Sequence, residues 1–213
     1  MITIVNNGTC FRFKTEPTMF SPNVIDRGTL AMLSQVDFRR GDKVLDIGCG
    51  YGVVGILAAA EVGEQRVTMS DISKKAVEWA KYNASLNGFS QINVLQSNGY
   101  EKISDTDFSL ILSNPPYHTD FSVAKQFIEG GYHRLRLGGR IVLVVKRLLW
   151  YQKKMTAVFG GVSVKEIDGY YVLISERRRG KVKKSAKGKD MSKKLLRKRN
   201  KMMVREKEKI KHE

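Results

Sequence analysis

Short apolar runs alternate with longer amphipathic stretches between residues 43 and 159, and this alternation predicts strands and helices in turn. The apolar runs predict five strands, at residues 43–47, 66–70, 92–96, 108–113 and 140–145. The longer stretches predict four helices, at residues 51–62, 73–86, 123–137 and 147–159, of which the first is apolar rather than amphipathic. This order is typical of an α/β fold, in which a parallel sheet carries helices on both faces.

Turn signals extend the pattern at both ends of the chain. Asn6-Asn7-Gly8 separates apolar runs at residues 2–5 and 10–14 and predicts a hairpin. Asp168-Gly169 separates runs at residues 162–167 and 170–174, and predicts an antiparallel hairpin that completes a doubly wound, mostly parallel sheet of seven strands. A further helix is expected near residues 24–36. Gly138-Gly139 is expected to end the helix before the fifth parallel strand.

Glycines follow the first predicted parallel strand directly. Residues 50–55 read Gly-Tyr-Gly-Val-Val-Gly, which satisfies the G-x-G-x-x-G pattern of dinucleotide-binding turns, although that pattern alone has low specificity. A strand, a glycine turn and a helix N-terminus together form a ligand-binding corner, where we expect free backbone N–H groups to point outward.

Two acidic residues narrow the choice of ligand at this corner. Asp46 lies at the end of the first strand, where a carboxylate repels a pyrophosphate and suits an ammonium or sulfonium group. Asp71 ends the next apolar run, about 20 residues past the glycines, which is the usual position of a carboxylate that binds ribose hydroxyls. S-adenosylmethionine, with a ribose, a cationic end and no phosphates, fits better than NAD. The alternative is a structural turn with two solvated acids.

The fourth predicted strand runs directly into Asn114-Pro115-Pro116-Tyr117-His118. Ligands bind beyond the carboxyl ends of parallel strands, so we expect Asn114 to lie beside Asp46, where the strand order reverses. The prolines remove N–H donors and present carbonyl oxygens rigidly, and the Asn114 side chain adds another acceptor. With Tyr117 placed to stack on a ring, this turn suits a planar –NH2 group. The alternative is a rigid structural turn.

The net charge of +17 is concentrated at the C-terminal end of the chain. Residues 177–213 contain 18 Lys and Arg against 4 acids, whereas residues 1–176 contain 20 against 17. A run of one charge sign is disordered in isolation, and it attracts RNA because each neutralised phosphate releases counterions. We therefore predict a domain at residues 1–176, in which residues 1–40 cover the ligand corner, and a basic RNA-binding tail at residues 177–213. The alternative is a tail that only aids solubility.

Several other classes of protein are disfavoured by composition. Two cysteines provide no disulfide framework, and no apolar run approaches the roughly 18 residues that a membrane span needs. The N-terminus lacks the basic start of a signal peptide. We expect a cytoplasmic protein with no membrane partner and no metal ion at its site; the sequence leaves its oligomeric state open.

Residues 20–175 resemble class I S-adenosylmethionine-dependent methyltransferases of the N-P-P-Y group, which modify exocyclic or amide nitrogens. His118 after the tyrosine, together with Phe20-Ser21 and Asp26-Arg27-Gly28-Thr29, narrows the resemblance to small-subunit ribosomal RNA guanine-N2 methyltransferases, specifically to their catalytic half. The resemblance implies a Rossmann-like fold and S-adenosylmethionine as the cofactor.

The resemblance also implies roles for individual residues. Asp46, Gly48 and Gly50 would contact the methionine end of the cofactor, Asp71 the ribose and Asn98 the adenine. The full set of implied cofactor contacts comprises Phe20, Ser21, Asp46, Gly48, Cys49, Gly50, Asp71, Ile72, Asn98, Gly99 and Asn114. The implied catalytic residues are Asn114, Pro115, Pro116 and Tyr117, and Tyr117 and His118 would contact the substrate.

The resulting hypothesis is an RNA methyltransferase that acts on the exocyclic amine of guanine in ribosomal RNA. Three alternatives stay open. The same chemistry applies to an adenine amine in RNA and to a glutamine side chain in a protein, and the chain could instead be a non-enzymatic RNA-binding platform. The basic tail disfavours an uncharged peptide target, and a platform would not need Asp46, Asp71 and Asn114.

Overall fold

The computed structural model of the chain describes residues 1–116 and 121–178, and the chain up to Arg178 packs as one unit. The strands in the described ranges are β1 (Ile2–Asn6), β2 (Thr9–Phe13), β3 (Val44–Ile47), β4 (Val67–Asp71), β5 (Asn93–Gln96), β6 (Phe108–Ser113), β7 (Leu135–Val145), β8 (Ser163–Ile167) and β9 (Tyr170–Glu176). The α-helices are α1 (Arg27–Leu33), α2 (Val53–Val62), α3 (Lys74–Leu86), α4 (Phe121–Arg134) and α5 (Leu148–Phe159).

Seven of these strands form one sheet in the order β5-β4-β3-β6-β7-β9-β8. The pairs from β5 to β7 are parallel, and β9 is antiparallel to both β7 and β8. The predicted α/β fold, a mostly parallel seven-stranded sheet closed by an antiparallel C-terminal hairpin, is confirmed. The strand order reverses between β3 and β6, so their carboxyl ends form the crevice at which such sheets bind ligands.

Helices cover both faces of the sheet and bury its central strands. One hydrophobic cluster joins α1, α2 and α3 to one face, and a second joins α4 and α5 to the other. Every residue of β3 and of β6 is buried, which explains why their sequences read as continuous apolar runs rather than alternating ones.

Both predicted hairpins are present, and both use turns with two residues in the left-handed region. The first turn has Asn7 at φ +47° and Gly8 at φ +77°. The second has Asp168 at φ +50° and Gly169 at φ +75°. Positive φ at both central positions matches the twist of antiparallel strands, which is why Asn-Gly and Asp-Gly pairs predict such turns well.

Two predicted helices end earlier than expected. The helix predicted at residues 123–137 ends at Arg134, and Gly138-Gly139 lies inside β7 rather than at a helix end. The register between β6 and β7 shifts at this point, and a Cβ on Gly139 would lie 2.8 Å from the Phe108 carbonyl oxygen. The glycines thus permit an irregular strand to pack closely. The helix predicted near residues 24–36 is limited to Arg27–Leu33.

The N-terminal hairpin forms a separate two-stranded sheet that is bound to α3 by two asparagines one turn apart. Asn83 accepts a hydrogen bond from the Lys14 N–H at 2.8 Å and donates to the carbonyls of Lys14 and Tyr51, both at 2.8 Å. Asn87 likewise accepts a hydrogen bond from the Arg12 N–H at 2.9 Å and donates to the Arg12 carbonyl at 2.8 Å. The two side-chain amides therefore pair with the backbone of the hairpin as a neighbouring strand would. Asn83 also links the hairpin to the glycine turn at Tyr51.

The folded part extends two residues beyond the predicted boundary at residue 176. The Arg177 N–H donates to Gly139 at 2.8 Å, and the Gly138 N–H donates to the Arg177 carbonyl at 2.8 Å. Because β9 runs antiparallel to β7, it ends at the opposite edge of the sheet from the β3–β6 crevice. The basic tail is predicted to be disordered. From residue 179 onward it lies outside the described residues, so its disorder stays a prediction. In the described part of the chain, no helix is long and apolar enough to cross a membrane.

Asn83→Ala is expected to lower the free energy of unfolding by about 2–3 kcal/mol, because it removes the side-chain partner of the buried Tyr51 carbonyl and of two part-buried backbone groups of Lys14. Asn87→Ala, which removes the equivalent contacts at a half-buried position, should cost about 1 kcal/mol. Urea denaturation of both variants checks the difference; equal losses would contradict the role assigned to the buried asparagine.

Candidate active site

A cavity of about 490 Å3 lies at the carboxyl ends of β3, β4 and β6, and residues of α1, α2 and α4 also line it. Its size is within the range of about 300–1,000 Å3 that is typical of small-molecule sites. Three carboxylates line it, those of Asp26, Asp46 and Asp71, whereas the described lining contains no Lys, Arg or His. The cavity therefore favours a ligand with positive charge and disfavours a polyphosphate.

The backbone N–H groups of the glycine turn are occupied, contrary to the expectation that they would point outward as free donors. Gly48 and Cys49 donate to the Ser70 carbonyl at 2.8 and 3.0 Å. Gly50 donates to Asp71 Oδ2 at 2.9 Å. Because β3 and β4 are parallel neighbours, the end of β4 lies beside the turn and takes the donors that a phosphate would need in a dinucleotide site.

Asp46 occupies the position in which a phosphate would meet the N-terminus of α2. Its Oδ2 accepts a hydrogen bond from the Gly55 N–H at 2.9 Å, and only 2% of the residue is exposed. A Cβ on Gly55 would lie 2.3 Å from Met69 Sδ, so only glycine allows the helix to approach β4 this closely. Burial raises the pKa of Asp46 to about 7, the Gly55 N–H opposes this shift, and the charge of Asp71 adds to it.

Asp71 and the turn after β5 form the other end of the cavity. Asp71 accepts hydrogen bonds from the N–H groups of Gly50 and Ser73, both at 2.9 Å, which holds its carboxylate at the rim. Ile72 is 66% exposed and lines the cavity, as does Asn98, whose side chain donates to Glu101 at 2.9 Å. An apolar side chain next to polar groups suits a planar, partly polar ring.

The Asn114 turn lies against the same cavity, as the sequence predicts. β6 pairs with β3 in parallel, and the buried Ser113 hydroxyl donates to the Ile47 carbonyl at 2.7 Å, which joins the ends of the two strands. Asn114, Pro115 and Pro116 all line the cavity. Tyr117 and His118 lie outside the described residues.

Of the predicted cofactor contacts, ten line the cavity: Phe20, Asp46, Gly48, Cys49, Gly50, Asp71, Ile72, Asn98, Gly99 and Asn114. Ser21 is not among the lining residues; its carbonyl accepts a hydrogen bond from the hydroxyl of Tyr51, which does line the cavity, at 3.3 Å. The N-terminal segment contributes from Phe20 onward only, since the hairpin before it packs on α3 instead. The predicted cover by residues 1–40 is thus limited to residues 20–29.

Sequence reasoning did not place several lining residues in the site. Six of them lie close in sequence to predicted site residues, at or near the carboxyl ends of β3, β4 and β5: Ile47, Tyr51, Val53, Val54, Ser70 and Ser97. The other six belong to the segment around α1 and to one face of α4: Ile25, Asp26, Thr29, Val123, Gln126 and Phe127. Val123, Gln126 and Phe127 follow helical spacing, which in the sequence is indistinguishable from an ordinary core face. Asp26 and Thr29 have the spacing of a helix N-cap, and that local role hides their position in the cavity.

The lining offers little nucleophilic or metal chemistry. Burial, with the charges of Asp46 and Asp71, raises the pKa of the Cys49 thiol well above its usual range, so that it stays protonated. Burial likewise raises the pKa of Tyr51 to about 12. No group of three or more His, Cys, Asp or Glu side chains with metal-binding geometry occurs in the described ranges. What remains is a set of acceptors that can bind, orient and electrostatically stabilise a cation.

Comparison with known proteins places this architecture in a family. The profile of the family described as "Methyltransferase small domain" matches residues 10–175. Ribosomal RNA small subunit methyltransferase C of Hamiltonella defensa is 35% identical over 157 residues, which cover 72% of this chain and 46% of that protein. The protein of the same name from Pseudomonas putida is 32% identical over 166 residues, 76% of this chain and 49% of that protein.

A solved structure agrees with these matches. A T. thermophilus 16S rRNA N2 methyltransferase, in complex with AdoMet and guanosine, superposes with a TM-score of 0.74 at 27% identity, over 83% of this chain and 50% of that one. The chain thus spans about half the length of the relatives it matches. Because the family profile matches residues 10–175, well over half of the chain, the chain belongs to the methyltransferase small domain family.

Proposed function

We propose that this protein is an S-adenosylmethionine-dependent RNA methyltransferase that acts on an exocyclic base amine, guanine N2 in ribosomal RNA. One observation carries the proposal: the acceptor-rich turn of Asn114 and a cation-favouring set of carboxylates line a single cavity. The relatives named as ribosomal RNA methyltransferases, and the one solved with AdoMet and guanosine, support this choice of cofactor and substrate.

The residues of the cavity fit the proposed cofactor, which supplies an electrophilic methyl group on a sulfonium. Asp46 is buried and lines the cavity, and its carboxylate would hold the positively charged methionine part. Asp71, held by two backbone N–H groups, has the position and the acceptors for ribose hydroxyls. Ile72 offers an exposed apolar surface to the adenine, and Asn98 offers polar groups beside it.

The acceptor turn is suited to an amine whose lone pair is delocalised into a ring. Asn114 and the Pro115 carbonyl would accept the two amine hydrogens and hold them out of the plane of the base, which frees the lone pair for the methyl group. Orientation and electrostatic stabilisation can provide this rate gain without a strong general base. As the bond from the methyl group to the sulfonium breaks and leaves a neutral thioether, the amine would become cationic and would then lose a proton to a carbonyl oxygen or water. Three carboxylates make the cavity favourable to this transient positive charge.

The surface around the turn suits an RNA strand. Lys146 and Arg147 are exposed and follow the end of β7, the strand beside β6, so they lie at the same edge as Asn114. Trp150 stacks on Phe121 with ring centroids 4.3 Å apart, and Leu149 beside it is 72% exposed. Cations with neighbouring apolar surface attract phosphates and pack against unpaired bases, and the target base would have to be unpaired or flipped out.

The function is tested by incubating the protein with isotope-labelled S-adenosylmethionine and either small ribosomal subunits that lack the modification or total ribosomal protein. Label that is sensitive to nuclease and elutes as N2-methylguanosine supports the proposal. Label on adenosine would replace guanine by adenine as the target, and protease-sensitive label on glutamine would replace RNA by protein.

Asn114→Ala is expected to lower kcat by about 100- to 1,000-fold, because it removes an acceptor that aligns the amine. The dissociation constant for the cofactor should change by less than about threefold, since Asn114 lies at the acceptor end. Asn93→Ala, at an exposed position of the outer strand β5, is the matched control and should retain full activity. Unchanged turnover in Asn114→Ala would refute the role of this residue.

Cofactor affinity is expected to depend on pH through Asp46, whose pKa burial raises to about 7. Below pH 7 the carboxyl group of the ligand-free protein becomes neutral, and binding a cation then requires the loss of a proton. We expect affinity at pH 6 to be about tenfold weaker than at pH 8. Calorimetry at pH 6, 7 and 8 should show that the dissociation constant of the wild type is about tenfold higher at pH 6 than at pH 8. The ratio should be smaller for Asp46→Asn, which keeps an acceptor for Gly55 but cannot ionise. The same ratio in both proteins would contradict the assignment.

Removal of residues 179–213 is expected to weaken RNA binding and to flatten its salt dependence, while kcat at saturating RNA is retained. This segment carries 16 Lys and Arg, and each phosphate that they neutralise releases counterions. Filter binding between 50 and 200 mM salt measures the slope. A chain with residues 179–213 in scrambled order should bind like the wild type, since charge alone is involved. If the truncated protein binds RNA unchanged, the segment has no role in RNA affinity.

A further inference from the structure

The side-chain amide of Asn114 is held by two residues that precede the sheet in sequence. Its Nδ2 donates to Asp26 Oδ2 at 2.8 Å and to the Thr29 hydroxyl at 3.1 Å. Both partners line the cavity, and Thr29 is 92% buried by the fold, with 8% of its surface exposed. The three side chains therefore form one hydrogen-bonded group at the acceptor end.

The first turn of α1 is built so that Asp26 reaches this position. Asp26 is the N-cap of the helix, and the same Oδ2 accepts the Thr29 N–H at 3.0 Å. At Gly28, a Cβ would lie 2.8 Å from the Tyr170 ring and 2.8 Å from Asp26 Oδ2. The absence of a side chain at residue 28 thus lets α1 pack directly on β9, which brings the cap to Asn114.

The chemistry of the partner determines which way the amide faces. A carboxylate has no hydrogen to donate, so only the nitrogen of the Asn114 amide can face Asp26. The carbonyl oxygen is then turned away from α1. In the reversed orientation, the oxygen would face the Asp26 carboxylate, and the –NH2 group would take the place of an acceptor. An –NH2 group in that place would confront the amine to be methylated with donors instead of an acceptor.

We propose that Asp26 and Thr29 are positioning residues that set the orientation of the Asn114 amide and thereby align the methyl acceptor. This inference rests on the proposed function, because it gives Asn114 the task of accepting an amine hydrogen. It assigns to α1 a role that its sequence position, before the first parallel strand, does not reveal. Asp26 and Thr29 affect catalysis only through Asn114.

The decisive variants separate capping from positioning. Asp26→Ser keeps a good N-cap for α1 but has a side chain too short to reach Asn114. Asp26→Asn keeps one oxygen that can accept from both Thr29 and Asn114, and the Thr29 N–H holds that oxygen in place. Thr29→Val removes only the hydroxyl, and Thr29→Ser restores it.

We expect Asp26→Ser to lower kcat by about 10- to 100-fold, while the KM for cofactor changes by less than about threefold. Asp26→Asn should stay within about fivefold of the wild-type kcat. Thr29→Val should lose several-fold, and Thr29→Ser should recover it. All four should unfold within a few degrees of the wild type. Equal kcat for Asp26→Ser and the wild type would overturn the proposal. It would also be overturned if Asp26→Ser lost both cofactor binding and stability, because that result would indicate a purely structural role.

A second readout does not depend on activity. The side-chain amide signals of Asn114 in a 1H–15N spectrum can be identified by their absence in Asn114→Ala. They should shift strongly in Asp26→Ser and weakly in Asp26→Asn, even if the RNA substrate is assigned wrongly. If these signals are the same in Asp26→Ser as in the wild type, Asp26 does not hold the amide. A failed methylation assay with shifted signals would instead count against the proposed function alone.

Discussion

The hydrogen bond between the buried Asp46 carboxylate and the Gly55 N–H organises the cavity. The N-terminus of a helix attracts an anion, and in a dinucleotide-binding turn that anion belongs to the ligand. Here the chain supplies it from its own first parallel strand. The helix dipole and the N–H group stabilise a charge whose burial is otherwise costly, and the result is a turn that resembles a phosphate site in sequence but presents negative charge.

The reversal of strand order between β3 and β6 brings the residues proposed to bind the cofactor and those proposed to bind the methyl acceptor to one cavity. The strands on one side of this point, β3 and β4, carry Asp46 and Asp71, and β6 on the other side leads into Asn114. The Ser113 hydroxyl joins the two strand ends. The segment before the sheet then completes both sites: Asn83 secures it to the glycine turn, and Asp26 secures it to Asn114. A ligand at either end of the cavity is therefore held on a shared scaffold.

The direction of the last strand leads the described chain away from the cavity. β9 starts with Tyr170, where Lys146 Nζ lies 5.0 Å from the ring centroid, and ends at the opposite edge of the sheet. With seven residues at about 3.3 Å each, the strand spans roughly 20 Å. Arg177 and Arg178, which follow β9, therefore lie at the edge away from Asn114, whereas Lys146 and Arg147 lie at the same edge as Asn114.

The sequence alone determined the class of fold, both hairpin turns and half of the cavity lining. Periodicity and turn chemistry are local, and in a parallel sheet the carboxyl end of each strand marks the ligand edge in advance, so Asp46, Asp71 and Asn114 could be found by position. Asn98 was implied by the resemblance to a known family. Features that depend on contacts between distant segments could not be predicted from position in the sequence. Gly138-Gly139 looked like a helix end because the register shift of β7 against β6 is a property of the pair. The N–H groups of the glycine turn looked available because their acceptors, Ser70 and Asp71, come from the next strand. Asp26 caps α1, and only the packing of α1 on β9 decided that the same oxygen also holds Asn114, 88 residues away.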